Sequence, residues 1–260
     1  NGQITPGKTP IIEITSGNTG IALAAFAAAK GYKCVIYIQD DVSIERKQAI
    51  KAFGAELFNL HDVPEYLEVF DETGGDFIAA VKVLKEKVID KIENSFLLDQ
   101  SANPANPDAH YKTTGKEIWE DTEGELDLFV ASAGTGGTIT GSGKFLKEKK
   151  PSVKVIGVQP PVNDTIVTGV HNFTDVVKER VPEVLNREYI DQVVTIEPAK
   201  AVETTRLLAK TDGILTGVSS GAALSVATDF AKKDENAGKT IVVILPDTGL
   251  RYLSTNLFSE

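Results

Sequence analysis

The chain reads as an α/β protein. Three observations predict that class. Short apolar runs rich in β-branched residues show no alternation, longer segments with helix-like starts and stops separate them, and three of the runs pass through Gly, Ser, Thr or Asn directly into a helix of small residues. Runs without alternation suit strands buried on both faces of a parallel sheet, and strand–helix alternation implies right-handed crossovers.

Taken in order, "PIIEI", "KCVIYI", "AELFNL", "LDLFVAS", "VKVIGVQ", "DQVVTI" and "TIVVIL" are the expected strands. Helices are expected near Thr19–Lys30, Ser43–Phe53, Asp76–Val88, Asp108–Glu120, Gly136–Glu148, Ala199–Lys210 and Ser220–Lys232, several opening at Ser, Thr or Asp and closing before glycine. The alanines at 22, 24, 25, 27, 28 and 29 give the first helix a slim body that packs closely. His61 to Asp76, "HDVPEYLEVFDETGGD", is acidic and turn-rich and reads as a solvated surface excursion. No internal repeat is evident. The prolines and asparagines of "SANPANPD", Ser101 to Asp108, interrupt the pattern, so a smaller domain is expected over 1–103 and a larger one over 104–260.

Composition narrows the function. With 27 Lys+Arg against 37 Asp+Glu the net charge is −10 and no basic cluster stands out, which argues against nucleic acid or an anionic membrane as partner and for a small molecule. Cys34, the single cysteine, cannot form an intrachain disulfide and lies in an apolar run, so a buried thiol and a reducing cytoplasm are expected. No apolar run approaches the roughly 20 residues of a membrane helix, and "NGQITPGKTP" lacks the features of a signal peptide. The three histidines, His61, His110 and His171, show no metal-ligand spacing and are read with Trp119 as structural; no metal is expected.

The junctions carry the chemistry. "TSGNTG" at Thr15–Gly20 and "AGTGGTITG" at Ala133–Gly141 each follow an expected strand, and "GILTGVSSGAALSVA" at Gly213–Ala227 again reads as a strand passing through Gly, Ser, Ser and Gly into a helix; the carboxyl ends of strands are where open α/β sheets bind ligands. Backbone N–H groups at the positive end of a helix hold anions. Gly134, Thr135, Gly136, Gly137 and Thr138 offer bare amides and two hydroxyls around one phosphate. Neither of the first two junctions has the dinucleotide or P-loop spacing.

With "SIERKQAIKAFGAEL", "NPANPDAHYKTTGKEIWED", "GILTGVSSGAAL" and "LPDTGLRYLSTNLF" in the same order, the chain resembles the fold-type II pyridoxal-phosphate enzymes from about position 5 to position 258, and within them the cysteine synthase (O-acetylserine sulfhydrylase) family. The resemblance implies two mostly parallel twisted sheets flanked by helices, as in the tryptophan synthase β chain, and pyridoxal 5'-phosphate as cofactor. It implies that Asn18 bonds the ring hydroxyl, that Thr15, Ser16, Thr19 and Gln100 hold the substrate α-carboxylate, and that Gly134–Thr138 hold the phosphate. Ser220, with Ser219 as the alternative, is matched to the hydroxyl facing the pyridine nitrogen. The implied reaction removes the α-proton and acetate from O-acetylserine and adds sulfide to give cysteine. A cystathionine β-synthase-like or serine sulfhydrylase activity is the enzymatic alternative. A catalytically silent relative that binds the C-terminal tail of serine acetyltransferase is the non-enzymatic one. Relatives are commonly homodimers.

Three departures stand against the family pattern. The Schiff-base lysine of an S-x-K-D/N-R type motif is not in this sequence; Lys8 has the wrong context, no methionine is present, and the lysine is expected upstream of Asn1. "GVHNFTDVVKERVPEVLN" replaces a glycine-rich loop, with Val176, Val177 and Lys178 where small residues are expected, which puts the sulfide side of the pocket in question. Leu250 stands where relatives usually carry Glu.

Overall fold

The computed structural model describes residues 2–15 and 17–259. They separate into two compact units, one running to Gln100 and the other beginning at Ser101.

In the first unit β1 (Ile11–Thr15), β2 (Cys34–Ile38) and β3 (Glu56–Asn59) pair in parallel, and β4 (Phe96–Leu97) joins the other side of β1, giving the order β3-β2-β1-β4. α1 (Asn18–Lys30) and α2 (Ile44–Ala52) cover one face through Ile21, Ala24, Ala27 and Ile50 against Ile36 and Ile38. α3 (Pro64–Glu72) and α4 (Phe77–Lys87) cover the other through Tyr66, Ala80 and Leu84 against Ile12, Val35 and Tyr37. The expected excursion at 61–76 is therefore corrected. Pro64 sits at the start of α3, where its missing N–H costs nothing, and Tyr66, Val69 and Phe70 share a helical face that reaches the core.

The second unit has a four-stranded parallel sheet of the same order. β5 (Leu128–Ser132), β6 (Lys154–Gln159), β7 (Gln192–Thr195) and β8 (Ile241–Val243) are arranged β7-β6-β5-β8. The segment expected as one helix over Asp108–Glu120 is two, α5 (Ala105–Lys112) and α6 (Thr114–Asp121). Asn103 Oδ1 accepts the Ala105 N–H, so the proline-rich run starts α5. The break falls at Thr113, whose hydroxyl bonds the Ala109 carbonyl four residues back. α6 and α7 (Gly137–Lys149) lie on one face of the sheet, while α8 (Pro198–Asp212) and α9 (Val218–Ala231) lie on the other.

In both sheets the strand order reverses beside the first strand, between β1 and β4 and between β5 and β8. A crevice opens at the carboxyl ends of such strands because their connections leave in opposite directions.

Candidate active site

The first unit builds its crevice from side chains. Thr15 ends β1 and is buried, with its Oγ1 accepting the Gly17 N–H at 3.2 Å. Gly17 precedes α1 with φ 140°, where a Cβ would press on the Arg46 side chain, so the residue must be glycine. Asn18 opens α1, and Ser16 lies outside the described residues. Thr19 and Gln100, 81 residues apart, meet: the Thr19 hydroxyl donates to Gln100 Oε1 at 2.6 Å. Of the expected carboxylate ligands the structure thus joins these two directly and leaves Thr15 on the adjoining turn.

Sequence reasoning passed over Glu13. Its side chain is buried on the face of β1 covered by α1, where Oε1 accepts the Ile14 N–H at 3.0 Å and Oε2 accepts the Gln100 N–H at 3.2 Å. Burial pushes this carboxyl up to about 7, against the lowering effect of the two amides.

The second unit builds its crevice from backbone. Gly136 precedes α7 with φ 84°, a left-handed conformation that favours glycine. A Cβ at Gly134 would run into the Gly169 carbonyl oxygen, one at Gly136 into Leu185, and one at Gly137 into the Asn106 carboxamide. The loop is fenced to bare backbone. Its hydroxyls are held from α5: Asn106 Nδ2 donates to Thr135 Oγ1 at 3.0 Å, and His110 Nε2 lies 3.2 Å from Thr138 Oγ1 while Nδ1 lies 2.9 Å from Thr114 Oγ1. Burial lowers the His110 pKa, which favours the neutral ring, one nitrogen donating and the other accepting. The sequence carried a signal for Asn106 and His110, since both lie in the proline-rich run and the helix after it, but that stretch reads as seam and packing.

A family model described as pyridoxal-phosphate dependent enzyme matches residues 2–247. The chain belongs to this family. It is 40% identical to cysteine synthase A of Escherichia coli over 100% of this chain and 80% of the relative. It is 37% identical to cysteine synthase 3 of Caenorhabditis elegans over 100% and 74%. Among solved structures, O-acetyl serine sulfhydrylase isoform 3 from Entamoeba histolytica superposes with a TM-score of 0.81 at 39% identity, covering 100% of this chain and 74% of that one. The crystal structure of O-ureido-L-serine synthase gives a TM-score of 0.79 at 40% identity, covering 99% of this chain and 78% of that one.

The cofactor of this pyridoxal-phosphate enzyme finds matching groups in the second unit. Three crowded glycines leave backbone N–H groups, beside the Thr135 and Thr138 hydroxyls, at the mouth of α7, which suits a phosphate. In the first turn of α9, Ser220 is fully buried and its hydroxyl has no hydrogen-bond partner among the described residues, whereas Ser219 keeps 7% exposure. A buried hydroxyl without a partner is costly unless a ligand completes it. Asp247, beyond β8, holds the entry to α9: Oδ1 accepts the Gly217 N–H at 3.1 Å and Oδ2 accepts the Tyr252 hydroxyl at 2.5 Å.

In place of the family's glycine-rich loop the enzyme has a polar knot. Gln159, buried at the end of β6, donates to Thr174 Oγ1 at 2.5 Å and Thr195 Oγ1 at 3.1 Å and accepts the Phe173 N–H at 3.0 Å. The His171 N–H bonds the Ala133 carbonyl at the head of the phosphate loop. Val177 is 62% exposed, and Leu250 is 58% exposed. Among the described residues no group of three or more His, Cys, Asp or Glu is placed to hold a metal ion, and no helix is long and apolar enough to cross a membrane.

Proposed function

We propose that this pyridoxal-phosphate enzyme makes L-cysteine by β-replacement, exchanging the acetate of O-acetyl-L-serine for sulfide. The observation that carries the reading is the Thr19–Gln100 pair at the β1/β4 switch point, beside the N-terminus of α1. Thr15, Ser16, Thr19 and Gln100 bind the substrate α-carboxylate, with N–H groups at the positive end of α1 adding to the attraction. Gly134–Thr138 bind the cofactor phosphate, and His110 and Asn106 hold the two threonine hydroxyls in place. Asn18 donates to the ring hydroxyl. Ser220 faces the pyridine nitrogen as a neutral partner and leaves it unprotonated. When bound, pyridoxal phosphate supplies a restrained electron sink for elimination and replacement at the substrate's β-carbon. The smaller domain, 1–103, then carries the substrate-carboxylate residues and Asn18, and the larger, 104–260, the residues for the cofactor phosphate and the pyridine nitrogen.

In the same reading the enzyme is cytoplasmic and a homodimer, and the serine acetyltransferase tail is a candidate peptide ligand. The reading is tested by a substrate panel on the full-length holoenzyme. Cysteine from O-acetylserine and sulfide is the expected result; product only from serine and homocysteine would replace it with a cystathionine β-synthase-like activity. Tail-peptide binding with no turnover of any amino acid would favour the silent binder.

A further inference from the structure

Glu13 lies where the β1/β4 ladder is interrupted. The Phe96 N–H bonds the Pro10 carbonyl at 2.8 Å and the Leu98 N–H bonds the Ile12 carbonyl at 2.9 Å. The next rung of a parallel pair would run from the Gln100 N–H to the Ile14 carbonyl. Asp99, a non-glycine residue at φ 50°, turns the chain out of that path, and its carboxylate is held by Lys85 at 2.7 Å. The missing rung is made instead by two side chains. Glu13 Oε2 takes the Gln100 N–H at 3.2 Å, and Gln100 Nε2 reaches the Ile14 carbonyl at 3.5 Å. The same turn aims Gln100 Oε1 at the Thr19 hydroxyl, 2.6 Å away.

We propose that Glu13 is a positioning residue: it captures the Gln100 backbone amide and so fixes the Gln100 side chain, and through it Thr19, for the substrate carboxylate. This role rests on the carboxylate reading of Thr19 and Gln100 above. A water molecule is a poor substitute for Glu13, because the carboxylate is only 2% exposed beneath α1. The ionisable groups around it are Asp99 on the chain leaving β4, Lys85 on α4 and Cys34 on β2, whose thiol is itself pushed up to about 11 by burial and then by Glu13. α1, which covers this face, carries its only ionisable residue at its far end, Lys30, and the charged residue of α2 nearest the junction is Arg46, against Gly17. Glu13 therefore changes charge near neutrality, and the ionised form is the better acceptor for two amides at once.

The experiment compares Glu13→Gln, Glu13→Leu, Gln100→Ala and Thr19→Val in the full-length holoenzyme. It measures KM and kcat for O-acetylserine from pH 6 to 8, retention of cofactor, and hydrogen exchange at the residue 100 amide. Glu13→Leu is expected to raise KM about tenfold with full cofactor retention and to expose the residue 100 amide to exchange. Glu13→Gln, which keeps one acceptor, recovers part of the loss. The wild-type KM is expected to fall severalfold as pH rises through 7 and that of Glu13→Gln to stay flat. If Glu13→Leu does not fold, the Glu13→Gln/Gln100→Ala double variant decides: Glu13→Gln adds nothing to KM once Gln100 is gone. Wild-type KM in both Glu13 variants, with KM raised in Gln100→Ala, would overturn the role of Glu13 alone. Unchanged KM in Gln100→Ala and Thr19→Val would overturn the carboxylate reading and the role of Glu13 with it.

Discussion

The crevices of the two units occupy the same topological place and are made of different material. Each follows the first strand of a four-stranded parallel sheet with one strand order, at the point where that order reverses. In the first unit a threonine hydroxyl and a glutamine carboxamide are hydrogen-bonded to each other, and a buried carboxylate behind them holds the glutamine's backbone amide. In the second the mouth of α7 is mostly backbone with two tethered threonine hydroxyls, and its neighbours leave no room for a Cβ at Gly134, Gly136 or Gly137. Topology thus chooses where an anion binds, and loop composition chooses how. A ligand that stays bound suits a rigid backbone cradle, whereas one that arrives and leaves in every turnover suits side chains that exchange partners.

That contrast is broken most severely at Gly134. Alanine there meets the Gly169 carbonyl, a backbone atom that cannot swing aside, so the loop itself must move. Overpacking of this kind costs about 1–3 kcal/mol, which corresponds to roughly 5- to 150-fold if it falls wholly on cofactor affinity; equilibrium dialysis of pyridoxal phosphate would measure it. Gly137→Ala meets only the end of Asn106, which can rotate away by giving up its bond to Thr135, and is expected to cost less. Equal losses in the two variants would contradict the steric account.

The side-chain crevice answers differently. Under the proposed function Gln100→Ala removes a partner of Thr19 and with it a donor to the substrate carboxylate, a charge-assisted loss of about 1.5–3 kcal/mol, or roughly 10- to 100-fold in KM. Cofactor affinity is expected to remain at the wild-type level. A fall in cofactor affinity equal to the rise in KM would mean that the two crevices do not divide the work.

Glu13 sharpens the comparison through pH, because the glycine loop carries no titratable side chain and burial lowers the pKa of His110, which meets its Thr138 hydroxyl. Its carboxyl is raised in the folded protein from 4.5 to about 7, so its contribution to stability is fully present below pH 4.5 and is lost as pH rises through 7. The loss by pH 8 is on the order of 3 kcal/mol at most. Glu13→Gln should therefore unfold at a higher temperature than the wild type at pH 8 and show a flatter pH dependence, even while its KM is worse. Thermal melts at pH 5 and pH 8 measure this, and a Glu13→Gln protein less stable at pH 8 would show that the ionised carboxylate is a net stabiliser.

These residues also mark how far the sequence alone could be read. The seven longer strands are legible because most are apolar runs without alternation, and the glycine loops because a Cβ at Gly134, Gly136 or Gly137 would meet a neighbour. The strand Phe96–Leu97 is too short to show a period. α3 is hidden by its acidic composition, since three core residues on one face are outnumbered by charges on the other. Glu13 looks like an ordinary polar residue in a strand. Its partner, the Gln100 amide, arrives 87 positions later and cannot be inferred from neighbours. The common strand order of the two sheets leaves no repeat in the sequence either, because it constrains connections and not side chains.

The smallest effect separates Ser219 from Ser220. They are adjacent on α9, about 100° apart around the helix, and only Ser220 has a hydroxyl that is sealed and without a partner among the described residues. Removing such a hydroxyl should be neutral or slightly stabilising without cofactor, because a buried unsatisfied group is lost. If Ser220 faces the pyridine nitrogen as proposed, the same change with cofactor bound removes a neutral hydrogen bond and costs about 0.5–1.5 kcal/mol. Ser220→Ala is therefore expected to reverse the sign of its effect on melting temperature when pyridoxal phosphate is added, and to alter the cofactor's absorption spectrum. Ser219→Ala should do neither. A sign reversal in Ser219→Ala alone would transfer the pyridine contact to that residue, leaving the hydroxyl of Ser220 as a cost of packing α9 against the sheet.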